Sequence, residues 1–143
     1  TADAMGVHAV MIPKDRAVGV TPAVVRASAG ASEHVRVCQV TNIVQSMEIL
    51  KENQIWLTGL EACAEARPCA DADLDGAVGL VLGSEGRGLS RLVREHCDFL
   101  VQLPLYGKVN SLNAAIAGAI AIHEVRRRRE SKSKGTGASK RNH

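Results

Sequence analysis

Short apolar runs alternate along the chain with longer stretches in which apolar residues recur every three or four positions. The short runs predict buried strands, because a parallel strand covered on both faces is apolar at nearly every position. The longer stretches predict amphipathic helices. Strands are expected at 7–12, 35–40, 55–58, 77–82 and 99–103. Helices are expected at 1–6, 23–31, 41–53, 89–97 and 111–129.

This alternation predicts an α/β protein with a parallel sheet and helices on both of its faces, since parallel strands need crossover connections. The stretch 13–22 is expected to be a loop, and 60–76 is polar and poorly periodic. Thr41 or Asn42 is placed to cap the helix that ends near 53, and Ser111 is placed to cap the last helix. Residues 131–143 are polar and predict disorder.

The chain begins with Thr1 and, by this interpretation, inside a helix that Gly6 ends. A helix with no strand before it is an unusual start for an α/β domain. We therefore expect the sequence to be a fragment whose N-terminal part, including the first strand, is missing.

Composition narrows the class of protein. The 143 residues suffice for one domain, and with 45% apolar but only 2% aromatic residues its core has to be aliphatic. No apolar run approaches the roughly 20 residues of a membrane helix. The four cysteines show no CxxC pairing, which predicts a reducing compartment, the cytoplasm. The five histidines show no metal-ligand spacing, so we expect no metal site.

The net charge of +3 is unevenly distributed. Residues 126–143 carry eight Lys or Arg and one acid, whereas residues 1–125 carry 10 basic and 14 acidic residues. The body is therefore −4 and the tail +7. A basic tail suits RNA or another polyanion, and the alternative is a solvated end that binds nothing. We divide the chain into a domain at 1–129 and a basic, disordered tail at 130–143.

The first of two informative segments is the apolar strand 77–82 with the glycine-rich turn 83–88. The turn lacks the Gly-Lys-Ser/Thr ending of a P-loop and the G-x-G-x-x-G spacing of a dinucleotide-binding turn. Ser84 lacks the Gly-x-Ser-x-Gly context of a hydrolase nucleophile, because the residue two before it is Leu82. Glu85, a carboxylate among glycines near a helix start, is placed to accept backbone N–H bonds and stay charged. A purely structural turn is the alternative.

The second segment, 103–113, joins a strand to a helix start made of Ser111, Leu112 and Asn113. The helix that follows is slim, because alanines fill its first half and Gly118 lies in its interior, so another element can approach closely. A tightly packed core helix is the plainer alternative. Both segments bring backbone N–H groups and small polar side chains to the C-terminal end of a strand, where open α/β sheets bind ligands.

Residues 82–90 and 103–113 resemble the second and third motifs of the SpoU/TrmH branch of the SPOUT RNA methyltransferases. Weaker similarity covers nearly all of 1–129, and residues 27–34 and 40–42 resemble the subgroup that methylates a guanosine 2′-hydroxyl in large-subunit ribosomal RNA. The resemblance implies a trefoil-knotted C-terminal region, S-adenosylmethionine as the cofactor, and a homodimer.

The resemblance also implies which residues form the site. Three residues occupy the family's active-site positions: Glu85, Ser111 and Asn113. Three are implied to contact the cofactor, largely through backbone groups: Gly83, Leu103 and Leu112. Three more are implied to line its pocket: Thr58, Gly59 and Pro104. The Asn and Arg of the family's first motif would lie upstream of Thr1, so we expect this chain alone to be inactive.

The sequence therefore predicts S-adenosylmethionine-dependent methylation of a ribose 2′-hydroxyl in RNA, with a guanosine of 23S ribosomal RNA as the target. A sulfonium methyl group is already activated, so transfer needs positioning more than a metal. Two alternatives stay open: a transfer-RNA 2′-O-methyltransferase, and a non-catalytic RNA-binding or assembly protein that retains the fold. A dinucleotide-binding enzyme is disfavoured by the glycine spacing.

Overall fold

The structure of the protein is a computed structural model that describes residues 1–14, 34–84 and 86–138, and of 136–138 only the backbone. In chain order the strands are β1 (Ala9–Pro13), β2 (Arg36–Val40), β3 (Trp56–Leu60), β4 (Arg67–Pro68), β5 (Val78–Leu82) and β6 (Phe99–Gln102). The helices are α1 (Ile43–Glu52), α2 (Arg91–His96) and α3 (Ala114–Ala138), and a short 3-10 helix spans Cys69–Asp71.

The strands form two parallel groups within the described residues. β1 pairs with β2, and the other four strands form a sheet in the order β4-β6-β3-β5. Each of these pairings is parallel, as the alternation of strands and helices predicted. β3 is central in the larger sheet, where Thr58 lies opposite Leu80 on one side and Phe99 on the other. The carboxyl ends of β3, β5 and β6 therefore lie at one edge of the sheet.

The hydrophobic core lies between the larger sheet and the last helix. Its buried members come from the 3-10 region, from β6 and from α3: Cys69, Ala72, Leu74, Val101 and Val125. Partly buried residues of the strands pack against them: Leu60, Val78, Leu80 and Leu103. The core is aliphatic, as the scarcity of aromatic residues required, and it fixes α3 over the strands whose ends form the site.

Helix α1 is capped at its start, and one carboxylate ties its end to the neighbouring strands. Asn42 Oδ1 accepts the N–H of Gln45 (3.2 Å), which confirms the predicted N-cap of α1. Asp98 Oδ2 accepts the N–H of Leu57 (2.7 Å), and its other oxygen lies 3.4 Å from Lys51 Nζ at the end of α1. Because Asp98 immediately precedes β6, it ties the end of α1 to two neighbouring strands.

The five predicted strands all occur, with ends shifted by one or two residues. β4 was not predicted, because two exposed residues carry no hydrophobic period. The predicted helix at 1–6 is instead a set of hydrogen-bonded turns, in which the Met5 N–H donates to Thr1 O (3.0 Å). The helix expected at 23–31 and most of the loop at 13–22 lie outside the described residues.

The last helix differs most from the prediction. It begins at Ala114 rather than Ser111, and it continues to Ala138 rather than ending near Arg129. Residues 131–138, expected to be disordered, are therefore helical. The physical reason is that Lys132 pairs with Asp75, while Arg128 and Arg129 just before this stretch bond to backbone carbonyls. These contacts compensate for a polar composition that would not fold alone. No helix in the described part of the chain is long and apolar enough to cross a membrane.

Candidate functional site

A cavity of about 290 Å³ opens where strands β3, β5 and β6 end and helix α3 begins. Its walls are leucines, alanines and glycines with a few polar side chains, a composition typical of small-molecule sites. The lining residues are Leu60, Glu61, Ala62, Leu82, Gly83, Ser84, Gly86, Gly88, Gln102, Leu103, Leu105, Asn110, Ser111, Leu112, Ala114 and Ala117. The two segments singled out by the sequence therefore meet in one site.

The turn after β5 folds back on itself to form one wall of the cavity. The Ser84 N–H donates to Gly88 O (3.1 Å) and the Gly88 N–H donates to Ser84 O (3.0 Å). Gly86 and Gly88 have φ values of 77° and 68°, a region that favours glycine. The glycines of 83–88 are thus explained by the closure of a tight loop.

Gly83 is the position where this loop tolerates no side chain. A Cβ atom added there would lie 2.6 Å from Gly88 Cα and still closer to the Gly88 carbonyl. The obstacle is backbone, which cannot swing away as a flexible side chain would. The family resemblance implies that Gly83 contacts the cofactor through its backbone. The structure shows that close approach of the chain to itself already requires glycine.

The start of α3 is capped by Asn113 and not by Ser111. Asn113 Oδ1 accepts the N–H groups of Ala115 (2.8 Å) and Ile116 (3.4 Å), as an N-cap residue does. The predicted Ser111 cap is wrong by two residues, because both side chains suit a cap and only the geometry distinguishes them. Ser111 instead is exposed and lines the cavity.

The structure brings four of the predicted site residues into the cavity lining: Gly83, Leu103, Ser111 and Leu112. Two others, Pro104 and Asn113, directly follow lining residues without lining the cavity themselves. Thr58 and Gly59 lie deeper along β3 than the first lining residue, Leu60. Glu85 lies outside the described residues.

The two β3 residues are enclosed by the protein. Thr58 is 0% exposed, and its Oγ1 has no hydrogen-bond partner among the described residues. A Cβ on Gly59 would lie 2.9 Å from Cys97 Sγ and 2.8 Å from Leu89 Cδ1, so glycine lets the residues on either side of α2 pack on the strand. Burial raises the pKa of the Cys97 thiol to about 11, so this cysteine stays protonated and unreactive.

Three polar residues in the lining were missed by sequence reasoning: Glu61, Gln102 and Asn110. Gln102 is held by a hydrogen bond from its Nε2 to Ala66 O (3.1 Å). Glu61 directly follows β3, and one of its carboxylate oxygens lies 3.4 Å from Arg94 Nε. A polar residue at the carboxyl end of a buried strand was the available signal, but it fell in a stretch without periodicity. Glu61 is the one charged residue in the described lining.

An apolar stripe runs from the cavity along α3. Leu112, Ile116 and Ile120 follow at four-residue spacing and are 37%, 55% and 43% exposed. Leu82, at the end of β5, is 43% exposed. One of its methyl groups lies where a Cβ on Gly118 would approach to 2.8 Å, so the glycine permits close packing of helix and strand. Large apolar side chains in a contiguous exposed row are typical of an interaction surface.

The basic residues beyond the stripe bond mostly to the protein itself. Arg128 Nη1 donates to Ala72 O, and Arg129 Nη2 donates to Gly76 O (2.7 Å). Lys132 forms an ion pair with Asp75, and this pairing lowers the pKa of the Asp75 carboxyl. These contacts fasten the second half of α3 to the loop between the 3-10 helix and β5. In the described part of the chain, no three metal-ligating side chains come together to hold an ion.

Comparison with known proteins agrees with this architecture. The profile of the SpoU rRNA methylase family matches residues 1–123, so the chain belongs to that family. The chain is 49% identical over 129 residues to YacO of Bacillus subtilis, named as a TrmH family tRNA/rRNA methyltransferase. That similarity covers 90% of this chain and 51% of YacO, so the chain spans about half the length of the curated relatives it matches.

Two solved structures share the fold. The SpoU methyltransferase AviRb from Streptomyces viridochromogenes, in complex with the cofactor AdoMet, superposes with a TM-score of 0.82 at 30% identity, over 91% of this chain and 53% of AviRb. An RNA 2′-O ribose methyltransferase superposes with a TM-score of 0.76 at 29% identity, over 90% of this chain and 48% of that one. The predicted family and α/β fold class are confirmed, and the likeness is consistent with the knotted fold.

Proposed function

We propose that this chain forms the cofactor-binding part of an S-adenosylmethionine-dependent RNA methyltransferase that modifies a ribose 2′-hydroxyl. The observation that carries the proposal is the cavity at the carboxyl ends of β3, β5 and β6, into which both sequence motifs converge. Its volume of about 290 Å³ lies at the lower limit for a small-molecule site. Support comes from AviRb, which was solved with AdoMet, and from the fold shared with an RNA 2′-O ribose methyltransferase.

The lining fits this cofactor by its chemistry. Leucine side chains from three strand ends and from Leu112 offer apolar walls to an adenine ring, and the Gly83–Gly88 turn brings backbone groups to the cavity surface without side chains between. When bound, the cofactor supplies a methyl group on a positively charged sulfur. The protein then has to hold the acceptor hydroxyl in line, and such positioning is worth roughly 7–11 kcal/mol of the barrier.

We assign the catalytic roles to the three predicted residues Glu85, Ser111 and Asn113. Ser111 presents its hydroxyl on the cavity wall, where it can hydrogen-bond the substrate ribose. Asn113 fixes the start of α3 and thereby the direction in which Ser111 and Leu112 face the cavity. Glu85 remains in the proposal as the carboxylate of the glycine-rich turn. Thr58, Gly59 and Pro104 remain in it as residues that shape the pocket.

The proposal includes a second copy of the chain as partner. The exposed row formed by Leu112, Ile116 and Ile120 begins at the cavity, so a dimer packed on it would cover apolar surface and border the site. RNA is the proposed substrate, and the target we favour is a guanosine of 23S ribosomal RNA, modified in the cytoplasm. Transfer RNA is the alternative, because YacO is named for both RNA classes.

Methyl transfer from labelled S-adenosylmethionine to purified 23S ribosomal RNA and to tRNA tests the proposal, with the protein in the form that the cell makes. Mapping of ribose methylation by resistance to alkaline hydrolysis should find one guanosine in 23S RNA. Label in tRNA alone would support the transfer-RNA alternative. RNA binding without measurable cofactor binding or transfer would identify a non-catalytic RNA-binding protein and overturn the proposal.

A further inference from the structure

Glu61 is held in an unusual position beside the cavity. Its Oε2 is buried and has no hydrogen-bond partner in the described part of the chain, although Arg94 Nε lies 3.4 Å away. Its Oε1 lies against the glycine-rich turn, 2.9 Å from where a Cβ on Gly88 would be. The missing side chain at Gly88 therefore leaves the room that the carboxylate occupies. Since Oε2 is buried, Oε1 is the oxygen that a ligand in the cavity can reach.

The charges around Glu61 favour a neutral hydrogen-bond donor, rather than a cation, as the group of a bound ligand that contacts its carboxylate. The Arg94 guanidinium lies between two carboxylates, 3.4 Å from Glu61 and 3.1 Å from Glu65. It compensates the charge of Glu61 and would repel an ammonium group brought to the same carboxylate. Hydroxyl groups avoid that repulsion and still form strong bonds to a charged acceptor. Carboxylates at strand ends bind the ribose hydroxyls of nucleotide cofactors in other α/β sheets.

We infer that Glu61 is a cofactor-binding residue whose Oε1 accepts a hydrogen bond from the ribose 2′-hydroxyl of the cofactor's adenosine. Arg94 is then a positioning residue, because it fixes the carboxylate by charge without lining the cavity. Gly88 serves the same arrangement by leaving space. The inference rests on the proposed function, since it specifies how the proposed cofactor is held.

Calorimetry with two ligands tests the inference on the purified full chain. The ligands are S-adenosylhomocysteine, which lacks the reactive methyl group, and its 2′-deoxy analogue. Glu61→Gln should weaken S-adenosylhomocysteine binding about tenfold, because a bond to a charged acceptor becomes a neutral one. The same substitution should leave binding of the deoxy analogue nearly unchanged, because that ligand lacks the hydroxyl.

The matched control is Glu65→Gln, which removes the other carboxylate on Arg94 but does not touch the cavity. It should change neither affinity. Glu61→Asp keeps the charge and shortens the reach, and it provides a second variant if Glu61→Gln melts at a lower temperature. Equal losses for both ligands, or a loss in Glu65→Gln as large as in Glu61→Gln, would overturn the inference. A parent that binds neither ligand would instead overturn the proposed function.

Discussion

The two halves of helix α3 are held to the protein by opposite means. The first half packs through small residues: Ala121 is 0% exposed, and Gly118 admits a Leu82 methyl group where a larger residue would collide. The second half is fastened by long polar side chains, with Arg128 and Arg129 on backbone carbonyls and Lys132 on Asp75. Val125, at the boundary, belongs to the core.

This difference separates the part of the helix that shapes the site from the part that determines how far the helix extends. Close packing sets the height of the first half over β5 and therefore the shape of the cavity that begins at Ser111. The charged contacts set only where the helix ends. The basic stretch, which in the sequence looks suited to RNA, thus has a structural role. Several of its side chains form hydrogen bonds and ion pairs with the protein itself. Net charge alone does not distinguish the two uses.

The largest effect is expected from Gly83→Val, which sharpens the comparison at the cavity end. A side chain here collides with the Gly88 backbone. The substitution therefore forces the turn itself to open, in addition to blocking a ligand. We expect a loss of stability of about 3 kcal/mol, at the upper end of overpacking costs, together with undetectable binding of S-adenosylmethionine. A thermal melt and calorimetry measure the two effects.

Gly86→Asn is the control for this prediction. Gly86 has a φ of 77°, which asparagine tolerates better than most residues, and a Cβ there would meet nothing within 4 Å. It should melt close to the parent. A Gly83→Val variant that is as stable as the parent and still binds the cofactor would show that the turn is not shaped as described.

The fold was predictable from the sequence wherever a short-range pattern decides it. Strands such as β5 and β3 followed from apolar runs, and the Asn42 cap followed from residue type. The cap of α3 was missed because Ser111 and Asn113 are both suitable N-cap residues and lie two positions apart. The continuation of α3 past Arg129 was missed because its cause is a contact between residues 57 positions apart, Lys132 and Asp75.

The site was predictable where a motif carries it and not where packing does. Gly83, Leu103, Ser111 and Leu112 were expected from the two motifs and line the cavity. Glu61 was not expected, because its place depends on Arg94 from α2 and on space left at Gly88. Long-range contacts of this kind have no period in the sequence.

An intermediate effect is expected from Gly118→Leu, which tests whether the first half of α3 depends on close packing. The new side chain would displace Leu82, at a typical overpacking cost of about 1–3 kcal/mol. The displaced Leu82, itself 43% exposed beside the cavity, would also disturb the surface proposed to bind a second copy. We expect a dimeric parent and a variant with a lower melting temperature and a smaller mass by light scattering.

Gly118→Ala separates these two effects. One methyl group meets only the movable end of Leu82, and alanine favours the helix by up to about 1 kcal/mol, so this variant should stay dimeric and melt near the parent. A parent that is monomeric would contradict the proposed dimer. A Gly118→Leu variant with unchanged mass and melting temperature would contradict close packing as the constraint on this half of the helix.

The smallest effect is expected from Asp75→Asn, which tests the charged half. The hydrogen bond from Lys132 lowers the pKa of Asp75, and the same bond raises the pKa of Lys132. Because the pKa of Asp75 is lowered, the pair stabilises the fold fully above the ordinary carboxyl pKa of 3.8. This stabilisation is lost as the pH falls through the lowered pKa. Because the pKa of Lys132 is raised, the pair stabilises the fold fully below the ordinary amine pKa of 10.5. This stabilisation is lost as the pH rises through the raised pKa.

The difference in melting temperature between parent and Asp75→Asn should therefore be constant at neutral pH and shrink towards both extremes. Because the Lys132 side of the pair is 70% exposed, we expect a difference of at most about 3 °C, reduced further by salt. Asp71→Asn, a change at an exposed carboxylate of the neighbouring 3-10 helix, is the control and should show no such profile. A pH-independent difference would contradict the ion pair between Lys132 and Asp75 as the source of the effect.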